Sequence, residues 1–274
     1  MHSPLSVSIV LYKTPLAQLQ RCLGSLQQVF PAPHVHLVDN SPTDALRVAQ
    51  SLYAGANYTH LPANPGFGSA HNVAIRSVQD AGFSYHLVLN ADVYFDGDVL
   101  SPMIEFLEQH PGVGQIMPKV LNPDGSIQRL CKLLPTPSDL LWRRFLSGKA
   151  KARSNFRFEL HESGYDKVMF VPYLSGCFML LRHGALKDVG LFDERFFMYP
   201  EDIDLTRRMA QRYETLFFPM VSVYHEHGAA SHKSLRMFWV HASNMIKYFN
   251  KWGWVHDPIR SALNRKALAG IRSD

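Results

Sequence analysis

The 274-residue chain has only three cysteines, Cys22, Cys131 and Cys177, far apart and without a C-x-x-C pair. That spacing argues against a zinc ribbon or a disulfide framework and fits a reducing compartment. No segment contains eighteen consecutive apolar residues, so none reads as a membrane span. The first apolar run, Val7 to Tyr12 interrupted by Ser8, is too short for the hydrophobic stretch of a signal peptide. The expectation is therefore a cytoplasmic protein. The glycine fingerprints G-x-x-x-x-G-K-[ST] and G-x-G-x-x-G are missing, which disfavours ATP-binding P-loops and an NAD dehydrogenase. H-E-x-x-H is missing too, so a zinc protease is disfavoured.

Apolar residues make up 46% and aromatics 12%, enough for a substantial core in one large domain or two small ones. The net charge is +5, unevenly spread. Residues 232–274 hold eight Lys/Arg against two acids, so this tail carries +6 and the rest of the chain −1. Basic character thus belongs to the tail. No helix-turn-helix, zinc-finger or RNP pattern accompanies it, and no nucleic-acid partner is expected.

Over the first 120 residues, short apolar runs alternate with helical patterns, the signature of βα units and a largely parallel sheet. Strands are expected at 7–12, 34–40, 57–61 and 85–90. Helices are expected at 15–29, 43–53, 69–82 (stopped by Gly82) and about 99–109. "NPDGS" (122–126) reads as a turn of hairpin flavour. Residues 131–167 lack clear periodicity and suggest a partly helical insertion or a loop. "VPYLSGCFMLLR" (171–182) is a strand pattern, a helix opens behind Pro200, and 215–228 looks like two short strands around Pro219. The last element, 233–252, spaces Leu235, Phe238, Trp239, Ala242, Met245, Ile246 and Phe249 as an amphipathic helix closed by Gly253.

Acids and amides cluster where strands should end, which is where parallel α/β sheets bind ligands. Asp39 ends the second strand in "LVDN", and Asp92 follows the fourth in "LNADVYF". Turn and cap duty is the ordinary reading of such residues, and Asp96 and Asp98, just before a helix, fit it. Asp39 and Asp92 follow their strands immediately, and function is the better reading. In "NPGFGSAHN" (64–72), Pro65-Gly66 fits the centre of a type II turn, and Gly68 permits close backbone approach to a ligand. "MYPEDIDLTRR" (198–208) starts a helix with three acids. Asp204 is spaced to pair with Arg208, whereas Glu201-Asp202 follows a run of aromatics that would desolvate a carboxylate and raise its pKa toward a general base's range. "YHEHGAASHK" (224–233) offers His225, His227 and His232, and two imidazoles around a carboxylate suit an Mg2+ or Mn2+ site that lacks a second ligand.

In their order and spacing, "VSIVLY", "VDNS", "NPGFGSAHN", "LNADVYF", "SGCFMLLRHGALKDVGLFDERFFMYPEDIDLTRR" and "VYHEHGAASH" resemble the family-2 glycosyltransferases of the GT-A fold. Within that family the bacterial rhamnosyltransferase branch is the nearest, and the resemblance covers about residues 6–250. It implies a mixed, mostly parallel α/β sheet flanked by helices. Residues 1–231 would form the transferase domain, with a nucleotide-binding half (1–120) and an acceptor and catalytic half (121–231). Residues 232–274 would be a basic amphipathic helical extension packed on it.

By the same resemblance, Asp39 matches the acid that contacts the nucleotide base, and the loop from Asn64 through Gly66 and Gly68 to Asn72 matches the wall of the nucleotide pocket. Asn90-Ala91-Asp92 stands where the family has its D-x-D metal motif, so binding of Mg2+ or Mn2+ rests mainly on Asp92. The implied partner ligand is His225, with His227 as rival. Asp202 matches the general base, with Glu201 beside it contacting the acceptor. The implied reaction is inverting transfer of a sugar, L-rhamnose from dTDP-L-rhamnose, to a hydroxyl of lipopolysaccharide or a lipid-linked saccharide. That places the protein in the cytoplasm, peripheral on the inner face of the membrane. The alternatives are a UDP-hexose donor and a catalytically inactive nucleotide-sugar binding protein. The intact "ED" pair, Asp92 and His225 argue against the inactive form.

Overall fold

The structure, a computed structural model, describes residues 4–139, 148–226 and 235–272. The first half alternates as expected: β1 (Leu5–Leu11), α1 (Leu16–Leu26), β2 (His34–Asp39), a 3-10 helix (Ala45–Leu52), β3 (Asn57–His60), α2 (Phe67–Ser77) and β4 (Tyr85–Asn90). The short β5 (Val93–Tyr94), α3 (Leu100–Gln109) and β6 (Val113–Leu121) follow. Then come β7 (Cys131–Lys132), α4 (Gly148–Phe158), β8 (Met169–Phe170), β9 (Tyr173–Leu174), β10 (Phe178–Arg182), α5 (His183–Val189) and α6 (Pro200–Ala210). The chain finishes with β11 (Glu214–His225), α7 (Leu235–Trp252) and α8 (Pro258–Arg272).

The main sheet runs in the order β3-β2-β1-β4-β10-β6-β11-β5, with β8 added on β11. β3, β2, β1 and β4 are parallel, as are β6 and β11. β10 lies antiparallel between β4 and β6, so β6 and β11 point the same way as β4. The result is a mixed, mostly parallel sheet.

Alternation along the strands explains why both faces are covered. Val7, Ile9, Leu11, Leu87 and Leu89 join Leu19 and Leu23 of α1 and Met103 and Leu107 of α3 in one core cluster. The intervening Val88, with Met179 and Leu181 of β10, meets Ile75 of α2 and Leu205 and Met209 of α6 in another. A sheet buried on both sides in this way reads as the near-continuous apolar runs seen in the sequence. The opposite face of α6 gives Ile203 and Ala210 to a third cluster with Met245, Tyr248 and Phe249 of α7 and Leu263 of α8.

Several elements differ from the expectation. Residues 214–225 form one strand, because Pro219 falls where the register with β6 shifts between Phe218 and Ser222, and a missing N–H costs no ladder bond there. The 171–182 run splits, since 175–177 leave the sheet to meet α6. Residues 45–52 are 3-10 rather than α, and α2 stops at Ser77, five residues short of Gly82. α8 is an additional helix, opened by Asp257, whose carboxylate accepts the Arg260 N–H at 2.9 Å. The expected cap at Asp98 is present, its carboxylate accepting the N–H groups of Leu100 and Ser101.

Candidate active site

The carboxyl ends of β2, β4 and β11 lie along one edge of the sheet and bring the predicted acids toward each other. Asp39 is fully buried at the end of β2. Its carboxylate accepts the Ser41 N–H at 2.8 Å and the Tyr58 hydroxyl at 2.6 Å. Burial first, and then this bond to Asp39, push the Tyr58 phenol well above its usual range. The loop so folded borders a cleft of about 450 Å³ lined by Lys13, Thr14, Ser41, Pro42, Thr43 and Leu46.

Two β-strands apart, Asp92 lies in the turn between β4 and β5, with Asn90 half-buried at the end of β4. β5 pairs with the end of β11 through Val93 and His225, and the Glu226 N–H donates to the Asp92 carbonyl at 2.9 Å. This pairing sets His225 Nε2 at 3.2 Å from Asp92 Oδ1. The other ring nitrogen, Nδ1, lies 2.9 Å from Gln128 Oε1. Arg21 holds the adjacent Glu226 by an ion pair and lies over the Tyr94 ring at 5.2 Å. His227, the rival ligand, lies outside the described residues.

Glu201 and Asp202 begin α6. The preceding Tyr199 is held at φ 91°, ψ −63°, a strained conformation for a residue with a side chain, and Pro200 occupies the first turn. Asp202 turns back to the sheet: its carboxylate accepts the Gly176 N–H at 2.9 Å and the Ile203 N–H at 2.8 Å. A Cβ on Gly176 would sit 3.2 Å from that of Asp202, so this approach suits glycine. Burial pushes the Asp202 carboxyl up to about 6, against the pull of the Gly176 and Ile203 amides and of Lys132. Glu201 is raised further, by burial and then by the charge of Asp202, and its Oε2 has no hydrogen-bond partner among the described residues. The Cys177 thiol is pushed up to about 12, mainly by burial and with smaller contributions from the charges of Asp92 and Asp202. A carboxylate poised near pH 6 is suited to accept a proton from a hydroxyl.

The glycines of the 64–72 loop are required by close packing within the protein. Gly66 has φ 104°, and a Cβ there would run into the Phe197 backbone, while a Cβ on Gly68 would meet that of Phe192 at 2.9 Å. Asn64 also lies at positive φ, 47°. Asn72 donates to the Phe192 carbonyl and to the Glu194 carboxylate, each at 2.9 Å, and accepts the Phe192 N–H at 3.0 Å. The loop therefore ties α2 to the segment that leads into Glu201-Asp202. Asp204, by contrast, pairs with Arg208 as its spacing predicted and is bonded by Lys251 and Trp252 of α7. Next to it, Arg207 makes two bonds of 2.7 Å to Asp257 beneath the Trp252 ring.

Gln128, Tyr58 and Lys132 escaped the sequence reading because isolated polar residues carry no pattern. Gly176 lay inside the quoted "SGCF" segment, but its partner is 26 residues away.

The sequence family described as glycosyl transferase family 2 matches residues 6–190, more than half of the chain. The protein belongs to glycosyl transferase family 2. The chain is 29% identical to the N-acetylglucosaminyl-diphospho-decaprenol L-rhamnosyltransferase of Mycobacterium tuberculosis, with 98% of this chain and 92% of that protein covered. It is also 29% identical to rhamnosyltransferase WbbL of Escherichia coli K12, over 63% of this chain and 64% of that one. Among solved structures, GalNAc-T7 with UDP, GalNAc and Mn2+ superposes with a TM-score of 0.59 at 14% identity, covering 81% of this chain and 43% of that one. S. aureus TarS gives 0.58 at 18% identity, over 96% and 42%. At such identities the likeness concerns the fold, the GT-A fold of glycosyltransferases. This chain is thus a glycosyltransferase.

Proposed function

We propose that this glycosyltransferase moves L-rhamnose from dTDP-L-rhamnose to a hydroxyl of a lipid-linked saccharide, with inversion at the anomeric carbon. The observation that carries the reading is the convergence of Asp39, the Asp92–His225 pair and Asp202 on one sheet edge. The names of the two rhamnosyltransferases supply the sugar and, for the mycobacterial one, a lipid diphosphate acceptor.

In this reading the cleft beside Asp39 takes the nucleoside, and its diphosphate reaches the ends of β4 and β11. The residues there fit a divalent cation. Gln128 engages Nδ1 of His225, which leaves Nε2 toward Asp92 as a nitrogen donor beside a carboxylate oxygen. No group of three or more His, Cys, Asp or Glu that could hold a metal occurs among the described residues. Two protein ligands with diphosphate oxygens and water are the usual holding of Mg2+ or Mn2+ in such sites. When bound, the cation acts as a Lewis acid on the leaving diphosphate. Asp202, held by two backbone amides, takes the proton of the acceptor hydroxyl as that oxygen attacks from the opposite face, a contribution of ~10²–10⁴-fold. One displacement inverts the centre, and no side chain forms a bond to the sugar. Glu201 lies buried against Gly68, where it shapes the acceptor side.

A lipid-linked acceptor requires work at a membrane surface. No described helix is long and apolar enough to cross a membrane. Lys247, Lys251, Arg260 and Lys266 are engaged by the body of the protein. The exposed side chains of the tail include Trp239, Ile246, Trp254 and Val255, which supports interfacial contact through apolar groups at the inner leaflet.

The test is a thermal-shift panel of dTDP, UDP, GDP and ADP with and without Mn2+. The expected result is a stabilisation by dTDP that needs Mn2+ and vanishes in Asp92→Ala. A metal-dependent shift from UDP alone would move the donor to a UDP-hexose, and no shift from any nucleotide would overturn the reading.

A further inference from the structure

The turn at 122–126 has no part in the chemistry above, yet it is built with care. The Asn122 N–H donates to the Ser126 carbonyl at 2.7 Å, the Gly125 N–H to the Asn122 carbonyl at 2.9 Å, and Ser126 is bonded by Asp124. The chain is thereby folded back, and the Gln128 N–H reaches the Val120 carbonyl at 2.9 Å. This delivers the Gln128 side chain to the end of β11, 97 residues away in sequence. Its Nε2 donates to Asn122 Oδ1 at 2.8 Å and to the His225 carbonyl at 2.7 Å. Both amide hydrogens are thus spent on carbonyl-type acceptors, which fixes which amide atom is oxygen. Oε1 is left facing His225 Nδ1 at 2.9 Å. An amide oxygen only accepts, so Nδ1 must carry a hydrogen, and in the neutral ring the lone pair then belongs to Nε2. Nε2 is the atom 3.2 Å from Asp92.

We propose that Gln128, presented by the 122–126 turn, is the positioning residue that fixes the tautomer and ring orientation of His225 so that Nε2 serves as a metal donor beside Asp92. This rests on the metal reading above. Partners of this kind, bonded to the far nitrogen of a ligating histidine, fix the tautomer and raise ligand basicity, and losing one costs ~10–100-fold in metal affinity.

Two variants separate positioning from simple support. Gln128→Met keeps the length and removes both bonds to His225. Gln128→Glu keeps an acceptor facing Nδ1 and loses the donors to Asn122 and the His225 carbonyl. Mn2+ affinity is measured at one neutral pH in the presence of saturating dTDP, and the histidine tautomer by 15N NMR without metal. The expected result is wild-type protein with His225 as the Nδ1–H form, Gln128→Met with Mn2+ binding ~10–100-fold weaker and that tautomer lost, and Gln128→Glu keeping the tautomer with affinity within a few-fold of wild type. Unchanged Mn2+ affinity in folded Gln128→Met, an equal loss in both variants, or an Nε2–H tautomer in the wild type would each overturn the proposal. Wild-type protein that takes up no Mn2+ with any nucleotide would overturn the metal reading first and the proposal with it.

Discussion

At pH 7.5 the Asp202→Asn variant should be more stable than the wild-type protein and severely impaired in transfer. The carboxyl is pushed from 3.8 to about 6, chiefly by burial. A group raised in this way favours folding below its unfolded pKa, and the benefit is lost as pH rises through the folded value. A tenfold difference in proton affinity corresponds to ~1.4 kcal/mol, so keeping Asp202 ionised costs the folded protein about 3 kcal/mol above pH 6 and about 1 kcal/mol at pH 4.5. Asn keeps one of the two amide contacts and loses the other, a cost of ~1–2 kcal/mol that does not change with pH. The diagnostic is therefore a difference: between pH 4.5 and 7.5 the variant should gain about 2 kcal/mol on the wild type. Glu201, which Asp202 also pushes up, adds to the gain in the same direction. Urea unfolding of both proteins at the two pH values reads this directly. Binding of dTDP with Mn2+ should survive while kcat falls by ~10²–10⁴-fold, and wild-type kcat/KM should drop below about pH 6 as the base takes up its proton. A stability difference independent of pH, or a variant with unchanged turnover, would refute the assignment of Asp202 as a buried base.

Removing Arg207 leaves Asp257, its side chain 2% exposed, with only the more distant Arg260 guanidinium at 3.8 Å as cation, so Arg207→Ala should lose ~3 kcal/mol in urea unfolding, whereas Arg207→Met combined with Asp257→Asn should lose much less. Equal losses would mean that packing rather than the ion pair fastens α7 and α8 to α6. Liposomes with anionic lipid should float the protein, with a modest dependence on salt because Lys247, Lys251, Arg260 and Lys266 are engaged by the protein, and Trp239→Ser should weaken flotation. Protein that stays at the bottom at low and high salt would remove the membrane surface from the account.

The βα alternation of residues 5–90 was legible because β1, β2 and β4 are buried on both faces and α1 shows a regular apolar stripe, although the edge strand β3 is not buried. Asp39, Asp92 and Asp202 stood out as candidates because acids directly after such strands, or at the start of a helix behind aromatics, are costly to place there, and the structure does bury Asp39 and Asp202. Other features depended on distant partners. Pro219 looks like a strand break until its place at the register shift with β6 is known. The packing need for the glycines of the 64–72 loop is invisible until Phe192 and Phe197, far along the chain, are placed against them. α8 had a local signal, Asp257-Pro258 as cap and first-turn proline, overshadowed by the stronger stripe of α7. Gln128 had none, since a glutamine two residues past a turn is unremarkable until His225 arrives beside it.

The most direct test of the account is a transfer assay with dTDP-L-rhamnose, Mn2+ and a polyprenyl-diphosphate-linked N-acetylglucosamine, the product read by mass spectrometry. The account predicts addition of one deoxyhexose by the wild-type protein with inversion at the anomeric carbon, and severely reduced addition by Asp202→Asn or Asp92→Ala. No product, in protein that binds dTDP with Mn2+, would contradict the proposed acceptor, and product of retained configuration would contradict the single displacement assisted by Asp202.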